Sequence, residues 1–497
     1  MENQPQHDEI HVISDIHMGG SPGFQILKET TRLAGFIGWV AVQRPDQSVA
    51  LVLNGDIIDT LAEDALQGYI AITNAAEIVS RIMTDPSFAV IWQALADFVK
   101  RPHRKLVLIV GNHDLELAFP SVQRTITERL AGDDLEARAR IEFSTIGAGY
   151  TCNVGNATVY CTHGNEVDEW NFTRYEDISK AARRLGAGLG LEPDEWRPNA
   201  GTKMVRDVMN EVKRKYRWVD LLKPEMEAAV SVLSVLDASV LAKLGSVAAL
   251  LTEAKIEKAE ADARLSGTLI NVARESVANV RVDSLLGRNL LQAIDPSADT
   301  SGASADDMLL DAERSLSEPR RQRPASAQGT LGRWQYYIDR IRGVEPEEAL
   351  RRAVIDWIRD DQSFVVDHPD DTFKQINDVV SPAIDVVITG HTHLARSISR
   401  GGGKHYFNTG TWIRLMKFTA AMLDSKNSFE PIYRVLVKGD IEGIDSPPPG
   451  VGPILFDRTS AVTISADQQG VTGHLLDVTG NGTTQVQAMG AAEFLKP

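Results

Sequence analysis

Five short motifs hold the side chains of this chain that can do chemistry: Asp15-Ile16-His17, Gly55-Asp56-Ile57-Ile58-Asp59, Gly111-Asn112-His113-Asp114, His163-Gly164 and Gly390-His391-Thr392-His393. Five of the eleven histidines fall inside them, so imidazole is concentrated where carboxylates are. Asp15, His17, Asp56, Asn112, His163, His391 and His393 make a mixed oxygen and nitrogen donor set. Such a set suits Mn, Fe, Zn, Co or Ni, whereas calcium prefers all-oxygen cages. Seven donors exceed what one four- to six-coordinate ion needs and fit two divalent ions sharing a bridging carboxylate. With Asp15, Asp56 and a bridging hydroxide, the pair keeps a net charge of about +1, which suits a phosphate ester. Ions roughly 3.5–4 Å apart clamp an in-line displacement in which that hydroxide attacks phosphorus. His113 should point away from Asn112 in an extended segment, placed to protonate the leaving oxygen. Asp59 can hydrogen-bond that imidazole and hold its tautomer.

Each motif follows an apolar run that reads as a strand, at 10–14, 49–54, 105–110, 157–162 and 384–389. Runs of this length between breakers, rich in Val, Leu and Ile, belong to strands buried on both faces. In α/β sheets ligands sit outside the carboxyl ends of such strands. Five strands thus deliver Asp, Asn and His to one rim. Helical patterns near 27–42, across 61–100 with a break at Asp85-Pro86, and at 121–130 alternate with the early strands, and a hairpin turns at Gly155-Asn156. The tail carries β-like runs at 433–437, 461–464 and 473–478.

After His163 the strand signals nearly vanish, and the stretch to His391 is far too long for a loop in a compact domain. The expectation is a core at 1–169, a mostly helical insertion at 170–342 with a flexible connector at 300–330, and the rest of the core at 343–497. Within the insertion, 228–251 has an apolar stripe at spacings of three and four, a packed helix rather than a membrane span. It motivates a competing reading, an interaction or scaffold protein that forms homo-oligomers through the insertion. Residues 197–220 hold seven Lys or Arg against three Asp or Glu, with Tyr216 and Trp218 among them. That patch can grip a phosphate or a nucleic-acid strand and is the whole basis for a nuclease alternative.

A net charge of −16 argues against bulk nucleic-acid binding through a basic surface, so nucleic acid is the less favoured partner. Cys152 and Cys161 flank the hairpin turn with Cys152 opposite Val159, so they are offset and expected as free thiols. With no basic, apolar leader at the N-terminus and no transmembrane segment, the expected location is cytoplasmic. His7, His11, His103, His368, His405 and His474 read as ordinary surface or core residues. Asn165, Asp168 and Trp170 are open between lining the pocket and simple turn or packing roles, and Asp114 between second-layer support and a turn.

The five motifs, in this order and each after a strand, resemble those of the calcineurin-like metallophosphoesterases over roughly 1–166 and 380–415. The resemblance implies a four-layer α/β/β/α sandwich with a dinuclear site, here interrupted by the helical insertion. It implies that Asp15, His17, Asp56 and His393 hold one ion. Asp56, Asn112, His163 and His391 would hold the other, with His113 as catalytic acid paired to Asp59. Manganese is the ion expected to serve in assays. Protein phosphatases of this superfamily continue the second motif with Asp-Arg-Gly and carry Glu after the third-motif His, where this chain has Asp59-Thr60 and Asp114. The bacterial UDP-diacylglucosamine pyrophosphatases usually show Arg where His113 stands. The resemblance therefore points to a phosphodiesterase or pyrophosphatase acting on a nucleotide or lipid-linked ester, with no motif naming the substrate.

Overall fold

Three strands buried along almost their whole length, β2 (Glu9–Ile13), β3 (Val49–Asn54) and β4 (Arg104–Ile109), lie side by side and parallel. Their largely apolar character follows from being covered on both faces. In this computed structural model, residues 4–168, 170–190, 196–223, 232, 344–358, 362–439, 441–447, 451–480, 483–489 and 494–496 are described.

The chain forms two units, one of Met1–Thr202, Gln362–Arg414 and Asp457–Pro497, the other of Lys203–Asp361 and Leu415–Phe456. Set beside the boundaries read in the sequence, residues 170–202 fall in the first unit, and 343–361 and 415–456 fall in the second.

In the first unit, β2–β4 continue on one side into β5 (Ile141–Ser144). On the other side come β13 (Thr459–Asp467), β14 (Gly470–Thr479) and β15 (Gln485–Ala488), with β16 (Phe494–Lys496) also paired to β14. A second sheet runs β1 (Gln6–His7), β6 (Tyr150–Val154), β7 (Ala157–Cys161), β8 (Val386–Thr389), β10 (Lys404–Asn408), β9 (Arg396–Gly401). The two sheets face each other through one core that includes Val12, Val52 and Val107 from the first and Cys152, Val159, Ile388 and Phe407 from the second. Helices Thr30–Ala41, Ala89–Lys100 and Pro120–Ala131 pack together on the side of β4 away from that core. Ile376 of the helix Asp371–Val379 packs with Val387, Ile398 and Tyr406 on the outer face of the second sheet. The result is an α/β domain of four layers.

The hairpin of β6 and β7 sets Cys152 opposite Val159, and both cysteines are free and buried. Burial raises both thiols well above their ordinary range, so they act as small core residues.

The second unit is helical where described, apart from a short ladder between β11 (Leu415–Met416) and β12 (Leu455–Phe456). The β-like run at 433–437 lies instead in the helix Lys426–Lys438. Ser425 caps its first turn, Gly439 ends it at φ 79°, and Phe429, Ile432, Val435 and Leu436 form its buried stripe. That stripe is visible only over a window wider than the five residues read as a strand. Trp218 is fully buried and its indole donates to the Leu436 carbonyl, and Tyr216 is buried beside it. Neither ring is presented for stacking on bases, which removes the aromatic half of the basic-patch reading. Apart from residue 232, the apolar stretch 228–251 lies outside the described residues, as does the connector 300–330. No helix among the described residues is long and apolar enough to cross a membrane.

Candidate metal centre

Parallel pairing puts the carboxyl ends of β2, β3 and β4 on one edge of the first sheet, and β7 and β8, also parallel, share an edge of the second. Asp15 and His17 follow β2, Asp56 follows β3, and Asn112 and His113 follow β4. His163 follows β7, and His391 and His393 follow β8. All five motifs emerge at adjoining rims.

At these rims the backbone leaves the conformations that ordinary residues favour. Among the described residues, the non-glycine positions with positive φ include Asp15 (52°), His17 (51°), Asp56 (50°), His391 (69°) and His393 (61°), with only Arg44 and His103 besides. Each left-handed residue costs about 1–3 kcal/mol and persists only where its surroundings over-determine it. Those surroundings are the other motifs. The Asp56 carbonyl accepts from the His17 amide at 2.9 Å, and the Gly55 carbonyl from Asp15 at 3.1 Å. Asp15 Oδ2 accepts from the His391 amide at 2.9 Å, and Asp56 Oδ1 from the His113 amide at 2.9 Å. The segment after β10 joins in, with Thr411 donating its hydroxyl to the Asp15 carbonyl at 3.0 Å.

Two glycines are required by close approach. A Cβ at Gly55 would run into the His163 ring, and one at Gly111 into the Asp56 carboxylate. Only hydrogen fits at either place.

The side chains converge in three groups whose donor atoms lie within 4.8 Å of one another: Asp15, His17 and His393; His17, Asp56 and His113; and Asp56, His163 and His391. His393 Nε2 is 3.3 Å from Asp15 Oδ1 and 3.2 Å from His17 Nε2. His163 Nε2 is 3.2 Å from Asp56 Oδ2, and His17 Nε2 is 3.7 Å from the same oxygen. Asp56 thus stands between the Asp15 side and the His163 side. Asn112 is buried, and its Oδ1 meets no hydrogen-bond donor among the described residues. A buried acceptor left so costs about 1–3 kcal/mol unless a cation takes its lone pairs. This orphaned oxygen, on the loop that also carries His113, and the three Asp and His groups together fit a pair of divalent ions.

Electrostatics reinforces the arrangement. Burial would favour the neutral acid at Asp56, yet His163, His113 and His17 hold it well below the ordinary carboxylate range. Burial raises Asp15, with the Asp56 charge adding to it and His163 opposing. Burial disfavours a proton on His163, but Asp56 holds that imidazole up at about 10. The Asn54 carbonyl lies 2.8 Å from His163 Nδ1 and can only accept, so Nδ1 carries hydrogen and Nε2 is the atom turned to Asp56.

Asp59 and His113 form the neighbouring pair, with Nδ1 3.2 Å from Oδ1. Burial works against the Asp59 charge, but His113 and His17 keep it ionised, below the usual carboxylate range. Asp114 is a brace between loops. Its two oxygens accept from the amides of Ile57 at 2.7 Å and Gly111 at 2.6 Å. Burial and the Asp56 charge push it up to about 7. His405 is buried on β10, where Ser397 is its partner.

Asp168 touches the site directly, its Oδ2 lying 2.6 Å from His391 Nε2. Asn171, three residues on, went unread in the sequence. The one signal for it is the density of Asn and Asp just after His163.

Residues 9–215 match the model of a family described as calcineurin-like phosphoesterase. No curated protein and no solved structure matches the chain. The matched stretch stops short of His391 and His393, which reach the site through the pairing of β8 with β7.

Proposed function

We propose that this chain, whose residues 9–215 match the calcineurin-like phosphoesterase family, hydrolyses a phosphodiester or pyrophosphate bond with two divalent ions. The observation that carries this reading is Asp56, shared between a His17 group and a His163–His391 group. In the proposal Asp15, His17, Asp56 and His393 hold one ion, and Asp56, Asn112, His163 and His391 the other. When bound, such a pair supplies Lewis-acid polarisation of the phosphoryl oxygens and a nucleophile at neutral pH.

The remaining work falls to this chain's side chains. His113 is half-buried, more open than Asp15, His17 or Asp56, as a group that must meet substrate should be. The Asp59 carboxylate can only accept, so His113 Nδ1 carries hydrogen towards it and Nε2 is left to face the leaving oxygen. A proton held at that Nε2 passes to the departing alkoxide or phosphate, a contribution of typically ~10²–10⁴ in rate.

The test is hydrolysis of bis-p-nitrophenyl phosphate by protein reconstituted with Mn2+, alongside His113→Ala. Turnover by wild type, and a loss in the variant larger than any loss of metal, supports the proposal. Wild type that holds two ions and leaves diesters, monoesters and pyrophosphates intact refutes it.

A further inference from the structure

The loop after His163 carries three linked hydrogen bonds that end on two side chains of the metal centre. His391 Nε2 lies 2.6 Å from Asp168 Oδ2, and Asn171 Nδ2 donates to the same oxygen at 2.8 Å. The amide oxygen of Asn171 then accepts from Asn112 Nδ2 at 3.4 Å.

The order of donors along this line is forced from one end. A carboxylate accepts, and Asp168 takes the Trp170 N–H on one oxygen while Asn171 Nδ2 and His391 Nε2 both face the other. His391 must therefore place its hydrogen on Nε2, leaving Nδ1 as the nitrogen with a lone pair. Asn171 must turn its NH2 to Asp168 and its oxygen to Asn112. Asn112 must then turn its own NH2 outward, which leaves Oδ1, the buried oxygen without a donor, on the site side.

The loop is itself fixed. The Asn171 carbonyl accepts from the side-chain amides of Asn165 at 3.1 Å and Asn199 at 3.2 Å. Asp168 uses its other oxygen to accept from Trp170 N at 2.8 Å. The carboxylate thus closes its own turn with one oxygen and faces His391 with the other.

We propose that Asp168 and Asn171 are positioning residues that select the imidazole tautomer of His391 and the amide orientation of Asn112, and so tune one ion of the pair. The inference rests on the two-ion reading above. Outer partners of this kind are worth about 10–100-fold in metal affinity. Asp15, His17 and His393 receive none of these bonds, so their ion is untouched.

The test titrates the full chain with Mn2+ by calorimetry and follows the electron paramagnetic resonance of the bound ions. Wild type is compared with Asp168→Ala and with the size-matched Asn171→Leu, each checked for an unchanged thermal midpoint without metal. Wild type takes up two coupled ions. Each variant is expected to bind one ion as wild type does and the other about 10–100-fold more weakly, with the spectrum of an isolated Mn2+ at intermediate concentration. Two ions bound with wild-type affinity in both variants overturns the inference alone. Equal weakening of both ions also overturns it, since orienting Asn112 and His391 cannot reach the Asp15 group. A wild type that binds no ion removes the two-ion reading itself.

Discussion

Asp59 stands between two imidazoles, its Oδ1 3.2 Å from His113 Nδ1 and its Oδ2 3.6 Å from His17 Nδ1. One carboxylate thus ties the proposed acid to the first motif. Asp59→Asn should leave two ions bound and lower turnover of esters with alkyl leaving groups by about 10–100-fold, part of the range for general acid catalysis. Esters of p-nitrophenol, which leaves without a proton, should lose much less. Equal losses for both leaving groups in steady-state assays would count against protonation by His113.

Gly111 and Gly38 make a matched pair. A Cβ at Gly111 meets the Asp56 carboxylate, whereas one at Gly38, inside the helix Thr30–Ala41, meets nothing within 4 Å. Gly111→Ala is expected to lose bound metal and activity together. Gly38→Ala should keep both and gain roughly 0.5–1 kcal/mol from helix propensity. Metal analysis and thermal melts of the two variants check this.

Asp114→Asn puts an NH2 where one of two backbone amides, Ile57 or Gly111, needs an acceptor. One donor is then left facing another, at a cost of about 1–3 kcal/mol. A denaturant midpoint equal to wild type would show that the brace is dispensable.

Burial lowers His7 and His405 to about 4, with the Lys105 charge adding at His7. An unfolded histidine titrates near ~6.5, so between these values the unfolded chain binds more protons and stability rises with pH. The stability these two contribute is intact above about pH 6.5, falls as the pH drops, and is spent by about pH 4. His405→Gln should flatten that acid slope. Chelator-treated protein unfolded by urea at pH 7 and pH 4.5 measures it, and an unchanged difference between the two pH values rejects the assignment.

How much of this was legible in the sequence follows from which features are local. The strands before Asp15, Asp56, Asn112, His163 and His391 announce themselves because a buried run ends in glycine or a polar residue within one window. Parallel neighbours then bring their ends together. The left-handed backbone at Asp15, His17 and Asp56 leaves no such mark, since bonds from other motifs impose it. Asn171 was invisible for a related reason: its partners, Asp168 and Asn112, matter only once the sheets that carry β4 and β7 are stacked face to face. The helix Lys426–Lys438 was misread because Tyr433-Arg-Val-Leu-Val alternates well enough over five residues to hide a period of 3.6. Tyr216 and Trp218 looked like a stacking platform because composition reports aromatic content, not which way a ring faces.

The placement of β8 and β13 bears on how the protein comes into being. β8, which delivers His391 and His393, pairs with β7 across more than two hundred intervening residues, and β13 lies against β2, the strand that leads into Asp15. While a ribosome is still adding the segment between β7 and β8, the emerging polypeptide already holds Asp15, Asp56 and His163 yet lacks both neighbours that finish their sheets. The rim that gathers these side chains is finished only once residue 467 has cleared the exit tunnel and both late strands have slotted in beside β7 and β2.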